Sequence, residues 1–172
     1  FYKYLTINLY MIYLATTRFN NSTFQEFKNF YKEKNIKNVI YNVPVPIKSK
    51  FDKDAHFIVI EMNNSTNTIE GISLIDNLVY YNKYKIYNDD NYNRYCYEGK
   101  YKIERDQFNE KEKELINHLE NICFKGKRHL KRGQGIQVIS NKVIDYYLRE
   151  NEHLQFLIPL QQMFLEHFRK NN

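Results

Sequence analysis

The residues best suited to chemistry stand in one run, from Lys125 to Ile136. Lys125, Lys127, Arg128, Lys131 and Arg132 place five cations within eight residues, and Gly126, Gly133 and Gly135 punctuate the run and its continuation. Glycine lets a backbone turn tightly and approach a partner closely, and a block of like charge calls for an opposite surface. Phosphate contact is the chemistry such a loop supports. Arg128 and Arg132 carry planar forks that match phosphate oxygens or stack on bases, while Lys125, Lys127 and Lys131 act as point charges. His129 brings a ring that stacks on an exposed base or donates to a phosphate, and Gln134 suits a base edge. A run that merely solvates a surface needs neither three glycines in ten residues nor this mixture of Arg, His and Gln. The spacing is not a Walker loop, because the Gly-Lys-Ser/Thr ending is missing, and it is not the dinucleotide fingerprint.

A second segment, Asn91 to Lys102, interleaves aromatics with cations, among them Arg94 and Tyr95. One exposed ring stacked on an unpaired base contributes about 1–3 kcal/mol, so this segment is a second candidate for RNA contact; half-buried strand tyrosines are the competing reading. Side chains that do catalysis are poorly grouped. Asp89 and Asp90 sit on a loop, and Glu110, Glu112 and Glu114 fall in the first turns of a helix, where they complement its dipole. His56, His118, His153 and His167 are isolated from one another, with no HExxH spacing and no cysteine partner, so no metal or other cofactor is expected. Nothing around serines such as Ser73 resembles a nucleophile elbow. No catalytic residue is assigned, and the chain is read as a binding protein, not an enzyme.

The elements that position these residues follow from hydrophobic period and turn chemistry. Residues 11–17 predict a strand. Asn20, Asn21, Ser22 and Thr23 follow, and Ser22 with Gln25 has the spacing of a capping box, which starts a helix there. Phe24, Phe27, Phe30 and Tyr31 then recur at three- and four-residue intervals as a core-facing stripe until Lys34 or Asn35. From Val39 the period becomes that of strands, over 39–45, 56–62, 68–75 and 79–87, with a shorter one over 95–103 interrupted at Gly99. Pro44 and Pro46 end the first of these or confine it to an edge. Asn63 to Asn67 has hairpin-turn chemistry, Asn88 to Asn93 is a polar loop, and Gly71 marks a bulge or a close backbone approach. Asn109 with Glu112 starts a second helix that runs to about Cys123, with Leu115, Ile116, Leu119 and Ile122 on its apolar face. Residues 141–150 and 154–169 also read as helical, Pro159 kinking the last or standing in its first turn. The fold class is α+β: a central antiparallel sheet or small open barrel, PUA-like by analogy of fold only, with an N-terminal helix and C-terminal helices.

At 172 residues the chain fits a single domain over 11–172, its C-terminal helical part starting at about 109. The ten residues before Met11 read as an extension, either of a longer reading frame or of translation from upstream of the start. A net charge of +6, from 26 Lys plus Arg against 20 Asp plus Glu, suits a polyanionic partner. Abundant Asn, Lys, Tyr, Ile and Phe are what AT-rich coding produces, so clustering carries the argument and total charge does not. Cys96 and Cys123 lie far apart and read as two thiols in a reducing compartment, with a cytoplasmic location expected. The longest apolar stretches, Leu9 to Ala15 and Phe57 to Met62, fall short of the roughly 20 residues a bilayer span needs. Neither a membrane nor a small-molecule substrate is an expected partner.

Four stretches taken together resemble a known family: Met11 to Phe19 (MIYLATTRF), Val59 to Asn64 (VIEMNN), Glu70 with Gly71, and the Lys125 to Ile136 loop. The resemblance is to a small eukaryotic family associated with the microsporidian dormancy factor that sits on idle ribosomes, and it covers Met11 to about Ile139; Phe1 to Tyr10 departs from the pattern. It implies a ribosome hibernation factor bound near the tRNA exit site, contacting ribosomal RNA and ribosomal proteins there and excluding tRNA sterically. Arg18, inside the first stretch, joins the RNA-contact residues on this basis. Two other readings stand beside it. One is an RNA-modifying or nucleotide-processing enzyme on a PUA-like scaffold, which needs a pocket with a convergent acid, base or metal. The other is a constitutive ribosomal protein, present in translating and idle ribosomes alike.

Overall fold

A computed structural model describes residues 12–140, 142–143 and 157–169. Strands β1 (Ile12–Phe19), β2 (Val39–Val43), β3 (His56–Asn63), β4 (Thr68–Tyr81), β5 (Tyr95–Glu104) and β6 (Gln137–Val138) form one sheet in the order β2-β5-β4-β3-β1-β6. Neighbours are antiparallel except β1 and β3, which run parallel from Ile12 opposite His56 to Phe19 opposite Asn63. A parallel pair requires a long crossover, and helix α1 (Asn21–Lys34) with β2 lies within it. The sheet curls into a half-barrel. Its two ends approach closely: a Cβ added to Gly135, just before β6, would stand 2.8 Å from the carbonyl oxygen of Val45, just past β2.

The chain is α+β, and the curled sheet is covered on both faces. Phe27 and Phe30 of α1 pack on Ala15, Tyr41, Phe57, Val59 and Tyr97. Helices α2 (Glu110–Phe124) and α3 (Leu157–Arg169) cover the other face, where Ile116, Leu119, Leu160 and Phe164 join Leu14, Ile58, Ile60, Ile72 and Ile103. Strand side chains alternate between faces, so a strand buried on both sides is a near-continuous apolar run. Phe57 to Ile60 is such a run.

Local chemistry sets the helix ends. Asn20 caps α1: its Oδ1 accepts the Thr23 N–H at 2.8 Å, and Thr23 Oγ1 accepts the Asn20 N–H at 3.0 Å. The box therefore sits two residues before the expected Ser22 and Gln25, because β1 ends at Phe19 and leaves Asn20 as the extended residue at the junction. At the other end Asn35 takes a left-handed φ of 49°. Helix α2 begins at the expected box, with Asn109 accepting from the Glu112 N–H and the Glu112 carboxylate accepting from the Asn109 N–H. The Glu112 carboxylate also meets Nε2 of His167 at 3.0 Å, tying α2 to α3. Pro159 stands in the first turn of α3, where its missing N–H costs no ladder bond.

Several strand expectations shift. Residues 68–75 and 79–87 are not two strands: β4 runs unbroken from Thr68 to Tyr81, with register slips against β3 beside Gly71 and against β5 between Leu74 and Val79, and the chain leaves the sheet at Asn82, which has a φ of 48°. Gly99 does not interrupt β5. The register slips opposite it, between Leu74 and Ile75, and an added Cβ would collide with the Leu74 carbonyl. At Gly71 both expected reasons hold, a register slip beside Glu61 and a Cβ position only 2.9 Å from the carbonyl oxygen of Ile103. As its prolines imply, β2 is an edge strand. Phe1 to Tyr10 and most of the expected helix 141–150 lie outside the described residues. Among the described residues, no helix is long and apolar enough to cross a membrane.

Candidate functional site

The Lys125–Gly135 loop is anchored at its middle, at Leu130 and Lys131. Extended backbone at Lys125 and a φ of 76° at Gly126 end α2 and turn the chain, and the Leu130 N–H returns to the carbonyl of Cys123 at 2.8 Å. From β1, Arg18 Nε donates to the Leu130 carbonyl at 2.6 Å; from the β3–β4 turn, Asn64 Nδ2 donates to the Lys131 carbonyl at 3.0 Å. Lys131 Nζ in turn donates to Asn67 Oδ1 at 2.8 Å. Gly133 and Gly135 take φ values of 118° and 69°, which side chains rarely adopt. On this backbone Lys125, Lys127, Arg128, Arg132 and Gln134 are exposed, while His129 and Lys131 are half-buried. Among the described residues no ion pair occupies Lys125, Lys127 or Arg132. Positive charge is thus held in place and available to an anion.

Beside the loop, the seam between the two sheet ends opens into a cleft of about 190 Å³. Its walls come from the end of β1 (Arg18, Phe19), the end of β2 (Asn42 to Pro44), the first turn of α1, Asn64, Tyr92 and the Gly133–Gly135 stretch. Three polar atoms of these residues, Arg18 Nη1, Asn42 Oδ1 and Asn64 Oδ1, are buried without a hydrogen-bond partner. Such an atom costs about 1–3 kcal/mol. The orientation of the Asn42 amide is fixed by its own bonds, since Nδ2 donates to the Tyr84 carbonyl at 2.6 Å and to Asn93 Oδ1 at 3.1 Å, leaving Oδ1 as the open acceptor. Burial lowers the Arg18 pKa to about 10, partly offset by Cys123, so the guanidinium stays charged at neutral pH.

The structure brings Arg18 and the loop residues together, and it places Arg94 and Tyr95 close to the cleft wall. Tyr95 opposes Val43 of β2 in the sheet, and the exposed Arg94 guanidinium lies 5.3 Å from the Tyr95 ring centre. Tyr92, 36% exposed, meets Tyr87 edge-on. The rest of that aromatic segment is packing: Tyr97 is buried with its hydroxyl accepting the Ile47 N–H, and Tyr101 lies against Phe168. Sequence reasoning missed Asn42 and Asn64. Their only signal is that each is an asparagine at a strand end, which an Asn-rich chain hides.

A second polar group lies inside the sheet. Glu61 is fully buried on β3; the Tyr41 hydroxyl donates to its Oε1 at 2.5 Å, Lys102 Nζ lies 3.0 Å from the same oxygen, and Ser73 bonds Tyr41 at 2.8 Å. Burial, then the Glu61 charge, pushes the Tyr41 pKa well up, so the phenol stays a neutral donor. The cluster ties β2, β3, β4 and β5 together, and Ser73 belongs to it. Among the described residues, no group of three His, Cys, Asp or Glu side chains is placed to hold a metal. No protein family, curated protein or solved structure matches the chain.

Proposed function

We propose that this chain is a ribosome hibernation factor that seats near the tRNA exit site and sterically excludes tRNA, without turnover. The observation that carries the RNA-binding part is the Lys125–Gly135 loop, whose exposed cations sit on a backbone anchored from β1 and from the β3–β4 turn. Backbone anchored at Leu130 and Lys131 reduces the conformational entropy that phosphate contact has to remove. The four stretches that resemble the dormancy factor family supply the choice of the ribosome as the RNA. Phosphate contacts would set affinity and orientation, and the residues at the cleft would read whatever base lies beside them. A cytoplasmic location follows from the same partner.

Cosedimentation with purified ribosomes tests the proposal. The protein is expected in the ribosome pellet at low salt and increasingly in the supernatant as salt rises, because displaced counterions drive part of the binding. Absence from the pellet at low salt rejects it. Sedimentation of cell extracts separates a hibernation factor, enriched on idle ribosomes, from a constitutive ribosomal protein, present equally on idle and translating ones.

A further inference from the structure

We infer that the Tyr81 ring, paired with Tyr95 across the ends of β4 and β5, stacks one unpaired base of the RNA strand that the Lys125–Gly135 loop holds; this rests on the RNA-binding reading above. Among the described residues Tyr81 is the most exposed large hydrophobic side chain, at 68%. The sheet sets where it stands. Tyr81 opposes Tyr95 on β5, Tyr95 opposes Val43 on β2, and a Cβ on Gly135 of the cationic loop would come within 4 Å of Val43 and Val45. Directly opposed residues share a face of the sheet, and neighbouring strands lie about 4.8 Å apart. The end of the loop, Val45, Tyr95 and Tyr81 therefore follow one another along one end of the sheet, with Tyr81 two strand spacings, about 10 Å, from the edge that the loop meets.

The surroundings of the ring set the chemistry of its partner. Tyr95 meets Tyr81 at 63° with 5.7 Å between ring centres, a contact that leaves most of Tyr81 open. Tyr95 is itself braced by Arg94, whose guanidinium lies 5.3 Å from the ring centre and donates towards the hydroxyl at 3.5 Å. The Asn82 N–H closes the connection between the strands on the Arg94 carbonyl at 3.2 Å, so the backbone on both sides of the pair is held. Arg94 is exposed, and among the described residues no ion pair occupies it. The carboxylates of the same segment are engaged: Asp90 with Lys85, Glu98 with Lys83, and Asp89 as acceptor from the Asn91 N–H. An open ring beside an unmatched guanidinium, in line with a cationic loop, fits a chain that alternates phosphates with flat π faces, which is single-stranded nucleic acid. An acidic peptide would match the cations and offer nothing to the ring. Every base has a π face, so Tyr81 holds a base without selecting its identity.

The whole chain contains no tryptophan, so Tyr81→Trp places a single fluorescent reporter at the proposed stacking position. A single-stranded oligoadenylate of about eight nucleotides is expected to quench it, and an abasic strand of the same length, which keeps the phosphates and lacks the bases, is expected to bind without quenching. In polarisation titrations of the labelled oligoadenylate, Tyr81→Ala should bind about fivefold or more weaker than the parent. Its slope of affinity against salt should be unchanged, because no cation is lost. Tyr81→Phe keeps the ring and should retain parental affinity. Equal quenching by the abasic strand, or parental affinity in Tyr81→Ala, overturns the inference. If Tyr81→Ala binds the oligonucleotide normally but pellets poorly with ribosomes, the ring meets a ribosomal protein and the inference is equally overturned. Failure of the parent to bind the oligoadenylate also overturns it, and the ribosome proposal falls with it only when the chain is absent from the ribosome pellet as well. Binding that depends on the loop cations and not on Tyr81 loses this inference alone.

Discussion

Replacing Lys125, Lys127, Arg128 and Arg132 together by glutamine removes four exposed cations and leaves in place the hydrogen bonds through Arg18, Asn64 and Lys131 that hold the loop. Each phosphate neutralised by a cation contributes about 0.7–0.9 to the slope of log affinity against log salt. Four such contacts contribute a slope of about 3, so a fourfold rise in salt, from about 50 to about 200 mM, weakens binding about 60-fold through this loop alone. The quadruple variant should therefore bind purified vacant ribosomes more weakly at low salt, and its salt slope should be shallower by about 3. Equilibrium pelleting at several salt concentrations measures both. Exposed substitutions of this kind change stability by only about 0.5 kcal/mol or less each, so a thermal melt close to that of the parent shows that folding is intact. A folded variant whose slope stays within about one of the parent's refutes the assignment of these cations to phosphates.

Other consequences concern the fold that presents the loop. Lys102→Met leaves the fully buried Glu61 carboxylate without its cation, a loss of about 3–5 kcal/mol and about 10 °C in melting temperature; adding Glu61→Leu should recover part of it, and a double variant no more stable than Lys102→Met alone would contradict the ion pair. Gly99→Ala drives a Cβ into the Leu74 carbonyl and should destabilise by about 1–3 kcal/mol in chemical denaturation, whereas an unchanged midpoint would mean that the β4–β5 register is misplaced. Burial pushes the Cys96 and Cys123 thiols up to about 12. Between the unfolded thiol value near 8.5 and that range the native state holds protons which the unfolded chain releases, so this contribution to stability is full below about pH 8.5 and is lost as pH rises towards 12, by up to about 1.4 kcal/mol per pH unit for each thiol. Denaturant melts from pH 8 upward check the sign. For the same reason both thiols should resist iodoacetamide in the native protein at pH 8 and react after unfolding.

Much of the architecture is legible in the sequence, for reasons that differ by element. Helix α2 is encoded locally: Asn109 and Glu112 satisfy each other's backbone donors, so its start needs no tertiary information. The start of α1 is ambiguous because Asn20, Asn21, Ser22 and Thr23 are all able to cap, and the choice depends on where β1 releases the chain. The long β4 reads as two strands because its register against β5 slips between Leu74 and Val79, where its pairing with β3 also ends, at Asp76. Strand β6 is two residues long and carries no period of its own. The cationic loop is visible because its residues are contiguous. Its cleft is invisible because Arg18, Asn42 and Asn64 belong to three segments that meet only when the sheet curls and β2 nears β6.

Competition with tRNA tests exclusion from the exit site most directly. Vacant ribosomes carrying labelled deacylated tRNA in that site are titrated with the protein, and bound tRNA and bound protein are counted on the same particles. Release of one tRNA for each protein bound is the expected result. Ribosomes that hold the protein and the exit-site tRNA at once would contradict it.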